Sequence, residues 1–489
     1  MLKRVHIIGG GIAGLAASVR LAKAGFKVSV FESAAHPGGK LCEMNLGGYR
    51  FDKGPSLFTM PHLVNELGEL TKTKTQFKFQ KLNDVCHYFY EDGTRLKAKS
   101  DLNAFADEIH HHLGESREAV LQHLEHSAQL YHYTSDLFLH QSLHKPLNFF
   151  NIKTIKAIGN IKKLQLSKTM HEANAKRFKN PKTVQLFNRY ATYNGSNPYK
   201  APALLNIIPH LEYNIGAFMP NEGMHDITKY IYGLAKEQGV EFYFNHKVEE
   251  IVVENEKVKG LKANGALFES DIVLSDADMH VVYQKLLPSK YTPHKLLNQE
   301  KSSSAYIFYW GIKREFTELG VHNILFSDNY EKEFEQLFNS DKPYHDPTVY
   351  IHISSKVCKK DAPPGCENWF ILINAPHNKS HLPVGYFDEL KLNVIKKINR
   401  ILKTDILPYI EEESTWDPFT IEKDTSSYGG SLYGNSSNNK FSAFLRHANY
   451  SSKIKGLYFC GGSVHPGGGI PLCLLSAKIA GNMIIDKHN

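Results

Sequence analysis

The chain has 489 residues, of which 42% are hydrophobic, and a formal net charge of +8 at pH 7. This length is too great for one simple core, and the composition excludes an intrinsically disordered protein. The positive excess is modest and comes with neither zinc-finger spacing nor an arginine-rich arm. It therefore favours a membrane surface over nucleic acid as an anionic partner, and we expect no nucleic acid to be bound.

The six cysteines are dispersed along the chain and form no C-x-x-C pair. This spacing argues against a disulfide framework and against a zinc site, so we expect no bound metal. The N-terminus lacks the apolar run of a secretory signal, and no stretch reaches the roughly 18 apolar residues that a spanning helix needs. We therefore expect a cytoplasmic protein that is peripheral to the inner face of the cell membrane.

A βαβ unit of about 30 residues is predicted at the start of the chain. Residues 5–8 form a short apolar run that is typical of a buried parallel strand. Residues 15–24 predict a helix that stops at Gly25, and residues 27–31 predict the second strand.

The turn between this strand and this helix has the pattern G-x-G-x-x-G, formed by Gly9, Gly11 and Gly14 around Ile12 and Ala13. The first glycine allows a tight turn, the second lets a pyrophosphate approach the backbone, and the third lets the helix pack close to the strand. The helix N-terminus offers free N–H groups and a partial positive charge to phosphates. The pattern therefore predicts a dinucleotide site.

Glu32 ends the second strand, 18 residues beyond Gly14, and Ser33 follows it. A carboxylate at this position can accept hydrogen bonds from both ribose hydroxyls of a dinucleotide. The same charge would repel a 2′-phosphate, so NADP is disfavoured.

The remaining chain alternates between helical and sheet-forming segments. It predicts, in order, a mostly helical stretch over 91–183, strands and a hairpin over 237–279, strands over 304–313 and 346–354, an amphipathic helix over 391–401, and a strand, glycine loop and helix over 456–485. Asn264-Gly265 is the turn signal of the hairpin. Because no linker separates these segments, any two domains must be interleaved.

A second glycine pair, Gly38-Gly39, lies shortly after the second strand. Its position resembles the extended nucleotide-binding motif of the glutathione-reductase and amine-oxidase superfamily, which binds FAD rather than NAD. Gly54, Pro55 and Ser56 lie where that superfamily runs its chain past the flavin. The resemblance therefore favours FAD as the dinucleotide.

Residues 456–471 resemble the signature of the bacterial-type carotenoid (phytoene) desaturase family. A strand there enters a glycine loop that opens a helix, and such a loop lets backbone lie flat against a ring system. Val464 replaces the small residue usual in the family and Gly468 departs from its commonest pattern. These changes alter the pocket locally and leave the glycine frame intact.

Three further segments carry the same resemblance: residues 193–202, 223–224 and 430–434. Within the family, residues 39–41 and 49–61 look most like the 1-hydroxycarotenoid 3,4-desaturases. The resemblance thus covers nearly the whole chain.

The fold class that the resemblance implies is α/β. A Rossmann-type FAD-binding domain is expected from residues 1–90, 215–285 and 415–489. An interleaved α+β domain, which binds the substrate and faces the membrane, is expected from residues 91–214 and 286–414.

The same resemblance implies a non-covalent FAD site. Its expected residues are Gly9, Gly11, Ile12, Ala13, Gly14, Glu32, Ser33, Gly38, Gly39, Lys40, Gly54, Pro55, Ser56, Val248, Gly461, Gly462, Gly469, Ile470 and Pro471. Cys460 and Cys473 flank the C-terminal glycine loop, and tight packing is favoured there over a covalent flavin link or redox chemistry.

The resemblance implies a desaturation in which a hydride passes from an allylic carbon to the flavin and a proton leaves the neighbouring carbon. The electrons would then pass to oxygen or a quinone. A carotenoid pocket should be an apolar tunnel with few titratable groups. His465 is the nearest candidate for a catalytic base, although a structural hydrogen bond in its loop is the favoured interpretation, and we assign no other catalytic residue.

A carotenoid substrate must come from a membrane. Residues 137–171 contain six lysines and no acidic side chain, and isoleucines recur there at near-helical spacing. The basic segment 145–168 is therefore expected to lie in the lipid interface. The alternative for this segment is an ordinary solvated helix packed on the core.

Other functions remain open at this point. Within the family, the alternative is a phytoene or lycopene desaturase. Outside it, the alternatives are a flavin-dependent amine or protoporphyrinogen oxidase and a non-catalytic prenyl-lipid-binding protein like the Rab GDP-dissociation inhibitors. Amine oxidases usually have a G-E pair where this chain has Gly461-Gly462-Ser463, and the intact Glu32 favours retained FAD over a lipid carrier.

Overall fold

The computed structural model describes residues 3–144, 165, 167–378, 386–439 and 446–488. One of its two main sheets has five strands, all parallel. In spatial order these strands are Leu457–Phe459, Ile272–Ser275, Arg4–Ile8, Lys27–Phe31 and Glu241–Tyr243. The fold is α/β, as the sequence predicts.

The central strand Arg4–Ile8 pairs on both sides, so that Ile7 lies opposite Val30 on one neighbour and Leu274 on the other. All three side chains are fully buried, as expected for a parallel sheet covered on both faces. Because the strands are parallel, the residues that follow them meet at one edge of the sheet. Ligands of open parallel sheets bind at this carboxyl edge.

The helix Ile12–Lys23 follows the first strand and begins three residues earlier than the sequence predicts. Gly11 is its N-cap, so the helix starts directly at the glycine turn. It ends before Gly25, whose φ of +92° favours glycine. The helix packs against His225–Glu237 and against the C-terminal helix, Ile470–His488.

The second main sheet has seven strands. In spatial order they are Ile410–Trp416, Ser304–Ile312, Glu367–Ala375, Val349–Ile353, His322–Leu325, Asp84–Phe89 and Arg95–Lys99. Only Asp84–Phe89 and His322–Leu325 pair in parallel; the other pairs are antiparallel. The strands expected over 304–313 and 346–354 are both present in this sheet.

A hairpin at residues 84–99 is absent from the sequence-based expectations. Its turn contains Asp92-Gly93, with Gly93 at φ +85° and the Thr94 N–H donating to Asp92 Oδ1. Asp-Gly between alternating residues is a hairpin signal that could have revealed it. Residue 90, the expected domain boundary, falls inside this hairpin, and the division of the chain into two domains stays a prediction.

Three smaller sheets complete the strands. The hairpin expected around Asn264-Gly265 is present in an antiparallel sheet of Val248–Glu254, Lys257–Ala263 and Ala266–Glu269. The two remaining sheets are ribbons that pair Glu43–Leu46 with Tyr49–Asp52, and Phe79–Lys81 with Phe218–Pro220.

The other α-helices lie between and around the sheets. They are His62–Thr71, Leu102–Leu113, Arg117–Phe138, Met170–Arg177, Pro181–Asn188, Met279–Val281, His294–Leu297, Tyr330–Asn339, Tyr386–Leu402 and Pro418–Thr425. Within the described ranges, no helix combines the length and apolar character needed to cross a membrane. The basic segment 145–168 lies outside the described residues, except for Gln165, Ser167 and Lys168.

Candidate functional site

The glycine turn after the first strand lies at the carboxyl edge of the parallel sheet. The Gly9 N–H donates to the Phe31 carbonyl at 2.9 Å, and Gly9 has a φ of +94°. A Cβ at Gly14 would overlap the carbonyl oxygen of Gly9. The turn can therefore close only with glycine at these two positions, and it leaves the helix N-terminus facing the edge of the sheet.

Glu32 follows the second strand at the same edge and is 8% exposed. Its Oε2 accepts from the Gly10 N–H at 2.7 Å, and its Oε1 accepts from the Ala34 N–H at 2.8 Å and the Ser33 hydroxyl at 3.2 Å. Hydrogen bonds to a carboxylate fix its orientation. The side chain is thus held in place beside the glycine turn.

Asp276 follows the strand Ile272–Ser275 at the same edge of the sheet, and it was not predicted from the sequence. Its Oδ2 accepts from the Gly14 N–H at 2.8 Å, and a Cβ at Gly11 or Gly461 would collide with its carboxyl group. Asp276 thus bridges the N-terminal and C-terminal glycine loops. Burial raises the pKa of its carboxyl to about 8, and the negative charge of Glu32 adds to this rise.

The second glycine pair lies against the first turn. The Gly38 N–H donates to the Gly10 carbonyl at 2.8 Å, and Gly38 and Gly39 both have positive φ. Lys40 follows, and its Nζ donates to the Leu432 carbonyl at 3.1 Å. Burial lowers the pKa of Lys40, an effect that Asp278 opposes.

The C-terminal glycine loop leads into the helix Ile470–His488. Gly461, Gly467 and Gly469 have φ values of +100°, +140° and +104°, which only glycine adopts readily. His465 Nε2 lies 2.9 Å from the Gln141 carbonyl, and burial lowers the pKa of this imidazole to about 4. This geometry matches the structural interpretation of His465, whose catalytic role stays untested.

A single cavity of about 830 Å³ connects these loops. Most of the residues expected to bind the cofactor line this cavity: Gly9, Gly11, Ile12, Ala13, Glu32, Ser33, Gly38, Gly39, Lys40, Gly54, Pro55, Ser56, Val248, Gly462, Gly469, Ile470 and Pro471. His465, the candidate base, lines it too. Gly14 and Gly461 do not line it, because they pack directly against Asp276 beneath the loops.

The same cavity extends along the seven-stranded sheet, where its lining is mainly apolar. Ile307 and Leu372 are cross-strand partners on the sheet face that lines it, and Phe370 lies on the same face. Leu205 and Leu211, which belong to the predicted substrate-binding domain, also line it. The lining thus changes from glycine backbone and polar groups at one end to aliphatic and aromatic side chains at the other.

A buried ion pair forms part of the wall at the apolar end. Arg189 Nη2 donates to Glu212 Oε1 at 2.6 Å, and the two side chains are 5% and 2% exposed. The hydroxyls of Tyr88, Tyr190 and Tyr193 bond to this pair. Because these partners lie within the cluster, the pair balances its own charge and adds no net charge to the cavity.

A second polar group in the cavity consists of Ser56, Tyr350 and His322. The Tyr350 hydroxyl lies 2.8 Å from both Ser56 Oγ and His322 Nδ1. Burial lowers the pKa of His322 well below its usual value, so this imidazole is neutral at pH 7. In the part of the chain that the structure describes, no group of three metal-ligating side chains is assembled.

The model of the family described as "Flavin containing amine oxidoreductase" matches residues 12–485. The chain is 49% identical to the 1-hydroxycarotenoid 3,4-desaturase of Flavobacterium sp. (strain P99-3) over 484 residues, which cover 99% of both chains. It is 32% identical to the 4,4'-diapolycopene oxygenase of Methylomonas sp, with 99% of this chain and 98% of the other covered.

Among solved structures, cyclohexylamine oxidase from Brevibacterium oxydans IH-35A superposes with a TM-score of 0.61 at 15% identity, covering 100% of this chain and 99% of that one. At this identity the likeness shows the fold alone. Together with the full-length family match and the 49% identity, it leads to one conclusion. This chain belongs to the flavin containing amine oxidoreductase family.

Proposed function

We propose that the protein binds FAD non-covalently and uses it to desaturate a carotenoid at C3,4, with a 1-hydroxycarotenoid as substrate. The observation that carries the proposal is the single cavity that joins a dinucleotide-type edge to an apolar tunnel. The 49% identity to a 1-hydroxycarotenoid 3,4-desaturase across the whole chain supports the substrate class.

The residues at the polar end of the cavity fit the pyrophosphate, the ribose and the ring system of FAD. The N-terminus of Ile12–Lys23 can receive the pyrophosphate, and the Glu32 carboxylate can accept from ribose hydroxyls. The His246 N–H donates to the Glu32 carbonyl at 2.9 Å, and this contact supports Val248, two residues later, as a neighbour of the proposed ribose. The glycine loops at Gly39 and Gly462 leave room for the ring system to pass along the backbone.

Lys40 and Ser56 lie farther along the cavity and belong to the same proposed site. Both line the cavity, and Lys40 is tied to the loop at Leu432. We propose that the chain from Gly54 to Ser56 flanks the flavin ring on the side of the apolar tunnel. Cys473 is half-buried and lines the cavity, but desolvation raises the pKa of its thiol to about 12, so the thiol is neutral at pH 7 and we propose no covalent link to the flavin.

A bound flavin supplies a two-electron acceptor that can take a hydride from an allylic C–H bond. Loss of a proton from the neighbouring carbon then completes the new double bond, so two hydrogens leave the substrate. The apolar walls around Leu372 and Phe370 hold the polyene and exclude water that could add to the cationic substrate. The electrons pass on to oxygen or a quinone.

Entry of the carotenoid requires contact with a membrane. We propose that the basic segment 145–168 makes this contact at the inner face of the cell membrane, on the strength of its six lysines and spaced isoleucines.

The test is a visible spectrum of the purified protein before and after anaerobic incubation with a 1-hydroxylated carotenoid in lipid. We expect flavin bands that bleach as the carotenoid spectrum shifts to the red. Mass spectrometry should show a product that lacks two hydrogens, and acid precipitation should release the flavin as intact FAD.

Other outcomes would favour the alternatives. Bleaching with phytoene alone would keep the family and overturn the C3,4 assignment. A product that gains oxygen would favour the oxygenase activity in the name of the 32% identical relative. A protein that neither contains nor takes up FAD would favour a lipid carrier.

A further inference from the structure

Arg446 lies where three loops of the cavity meet. Its guanidinium donates to the carbonyls of Tyr433 at 2.8 Å, Gly462 at 3.3 Å and Asn435 at 3.1 Å, and to Asn194 Oδ1 at 2.8 Å. The residue is 3% exposed and lines the cavity. One side chain thus ties together the C-terminal glycine loop and two of the three other segments that carry the family resemblance, 193–202 and 430–434.

No carboxylate whose side chain the structure describes balances the positive charge of Arg446. Among the described residues, no Asp or Glu lies within ion-pair distance of its guanidinium. The stretches outside the described ranges, 145–164, 166, 379–385 and 440–445, contain no acidic residue. Among the groups that the structure describes, every hydrogen-bond partner of this buried cation is therefore a neutral oxygen.

The charge persists at neutral pH. Burial lowers the pKa of Arg446 to about 10, which still leaves the guanidinium protonated at pH 7. The thiol of Cys473, which interacts electrostatically with Arg446, stays neutral because burial raises its pKa. A buried charge without a counter-ion is costly, and an anionic or electron-rich ligand beside it would offset that cost.

Arg446 also stands beside the start of the C-terminal helix. Its Nη1 bonds to Gly462, and a Cβ at Gly467 would lie 3.2 Å from its Nε. The residues from Gly468 to Cys473 at the helix N-terminus line the same wall of the cavity. The partial positive charge of that N-terminus and the full charge of Arg446 therefore act at the same place.

We propose that Arg446 is a positioning residue that fixes the C-terminal glycine loop and holds a positive charge against the flavin ring system, where it stabilises the two-electron-reduced form. The inference rests on the proposed function, which places the flavin at this loop. A cation beside the ring raises the reduction potential, and a higher potential favours hydride removal from an allylic C–H bond that no adjacent heteroatom activates.

The test compares four variants of the full-length, flavin-loaded protein. Arg446→Gln removes the charge and keeps donors. Asn194→Asp leaves Arg446 in place and puts a carboxylate where Asn194 Oδ1 now accepts its hydrogen bond. Arg446→Lys keeps the charge, and Arg314→Gln removes an exposed arginine elsewhere as the matched control.

The readouts are the flavin midpoint potential, from spectral titration against a reference dye, and the affinity for sulfite, which forms an anionic flavin adduct. We expect a lower potential and at least about tenfold weaker sulfite binding, or about 1.4 kcal/mol, in Arg446→Gln and in Asn194→Asp. Arg446→Lys should stay near the wild type, and Arg314→Gln should match it.

Two results would overturn the inference. One is an unchanged flavin midpoint potential in both Arg446→Gln, which removes the charge, and Asn194→Asp, which pairs it with a carboxylate. The other is an equal fall in Arg446→Gln and Arg446→Lys with none in Asn194→Asp, which would assign the effect to loop geometry. If Arg446→Gln does not fold, the midpoint potentials of Asn194→Asp and Arg446→Lys still distinguish an effect of the charge from an effect of loop geometry. A wild-type protein without flavin would instead defeat the proposed function.

Discussion

The two ends of the cavity are built in different ways. At the end proposed to hold the dinucleotide, which we call the dinucleotide end, short segments of glycine backbone and one fixed carboxylate, Glu32, define the shape. At the apolar end, side chains from distant strands and helices define it, among them Ile307, Leu372 and Leu205. The first end is specified by local sequence, whereas the second exists only after the seven-stranded sheet has formed.

The difference predicts that mutations at the two ends should have separable effects. Changes in the glycine loops should remove the flavin, because backbone approach tolerates no added atom. Changes at the apolar end should affect stability or substrate use and spare the flavin. The variants below test this separation, from the largest expected effect to the smallest.

Glu212→Gln should give the largest effect. It removes the carboxylate that balances Arg189, and an unpaired buried charge costs about 3–5 kcal/mol. We expect thermal unfolding, followed by circular dichroism, to shift to clearly lower temperature. Glu413→Gln, which breaks the pair between Lys391 and a half-exposed Glu413, should cost less than about 1 kcal/mol. Equal unfolding temperatures in the two variants would contradict the role of the buried pair.

Gly14→Val should abolish flavin binding. The new Cβ would overlap the Gly9 carbonyl, and overpacking of this kind costs about 1–3 kcal/mol and displaces the turn. The measurement is the ratio of flavin to protein absorbance after purification. Gly233→Ala is the control, since a Cβ at this helical glycine meets no atom within 4 Å. Full flavin content in Gly14→Val would show that the turn is not the dinucleotide site.

Leu372→Asn should weaken carotenoid turnover and leave flavin content unchanged. Replacing this buried-face side chain removes roughly 1.5–3 kcal/mol of apolar contact, so kcat/KM should fall about 10- to 100-fold. Leu392→Asn changes a leucine that is 50% exposed on the helix Tyr386–Leu402 and should leave kcat/KM as it is. Loss of flavin from Leu372→Asn would break the separation between the two ends.

Asp276→Asn should change the pH dependence of FAD binding. Burial raises the pKa of Asp276 to about 8, with Glu32 reinforcing the rise while the Gly14 N–H and Lys40 oppose it. The carboxyl is thus neutral below pH 8 and negative above it, where it would repel the diphosphate. Affinity should fall by up to about tenfold per pH unit above 8, and the Asn variant should lose this fall. The measurement is a fluorescence titration of each protein with FAD from pH 6 to pH 9. Parallel curves of FAD affinity against pH for the wild type and Asp276→Asn would refute the prediction.

Much of the dinucleotide end could be predicted because its requirements are local. The pattern at Gly9, Gly11 and Gly14 and the spacing to Glu32 lie within one βαβ unit, and the structure builds that unit with the helix beginning at the turn itself. The hairpin at 84–99 was missed although its Asp92-Gly93 signal is equally local. The apolar end offered no comparable pattern, since its residues are far apart in sequence.

By itself, the sequence determined the βαβ unit at the start of the chain, the glycine loops and, through resemblance, the flavoprotein family. Tertiary structure alone decided which distant groups meet. Asp276 joins two glycine loops, and Arg446 joins three segments. Arg189 forms an ion pair with Glu212 in the wall of the apolar tunnel. The physical reason is that a short motif fixes backbone conformation within a few residues, whereas a buried charge is stabilised by partners that only the packed fold brings near.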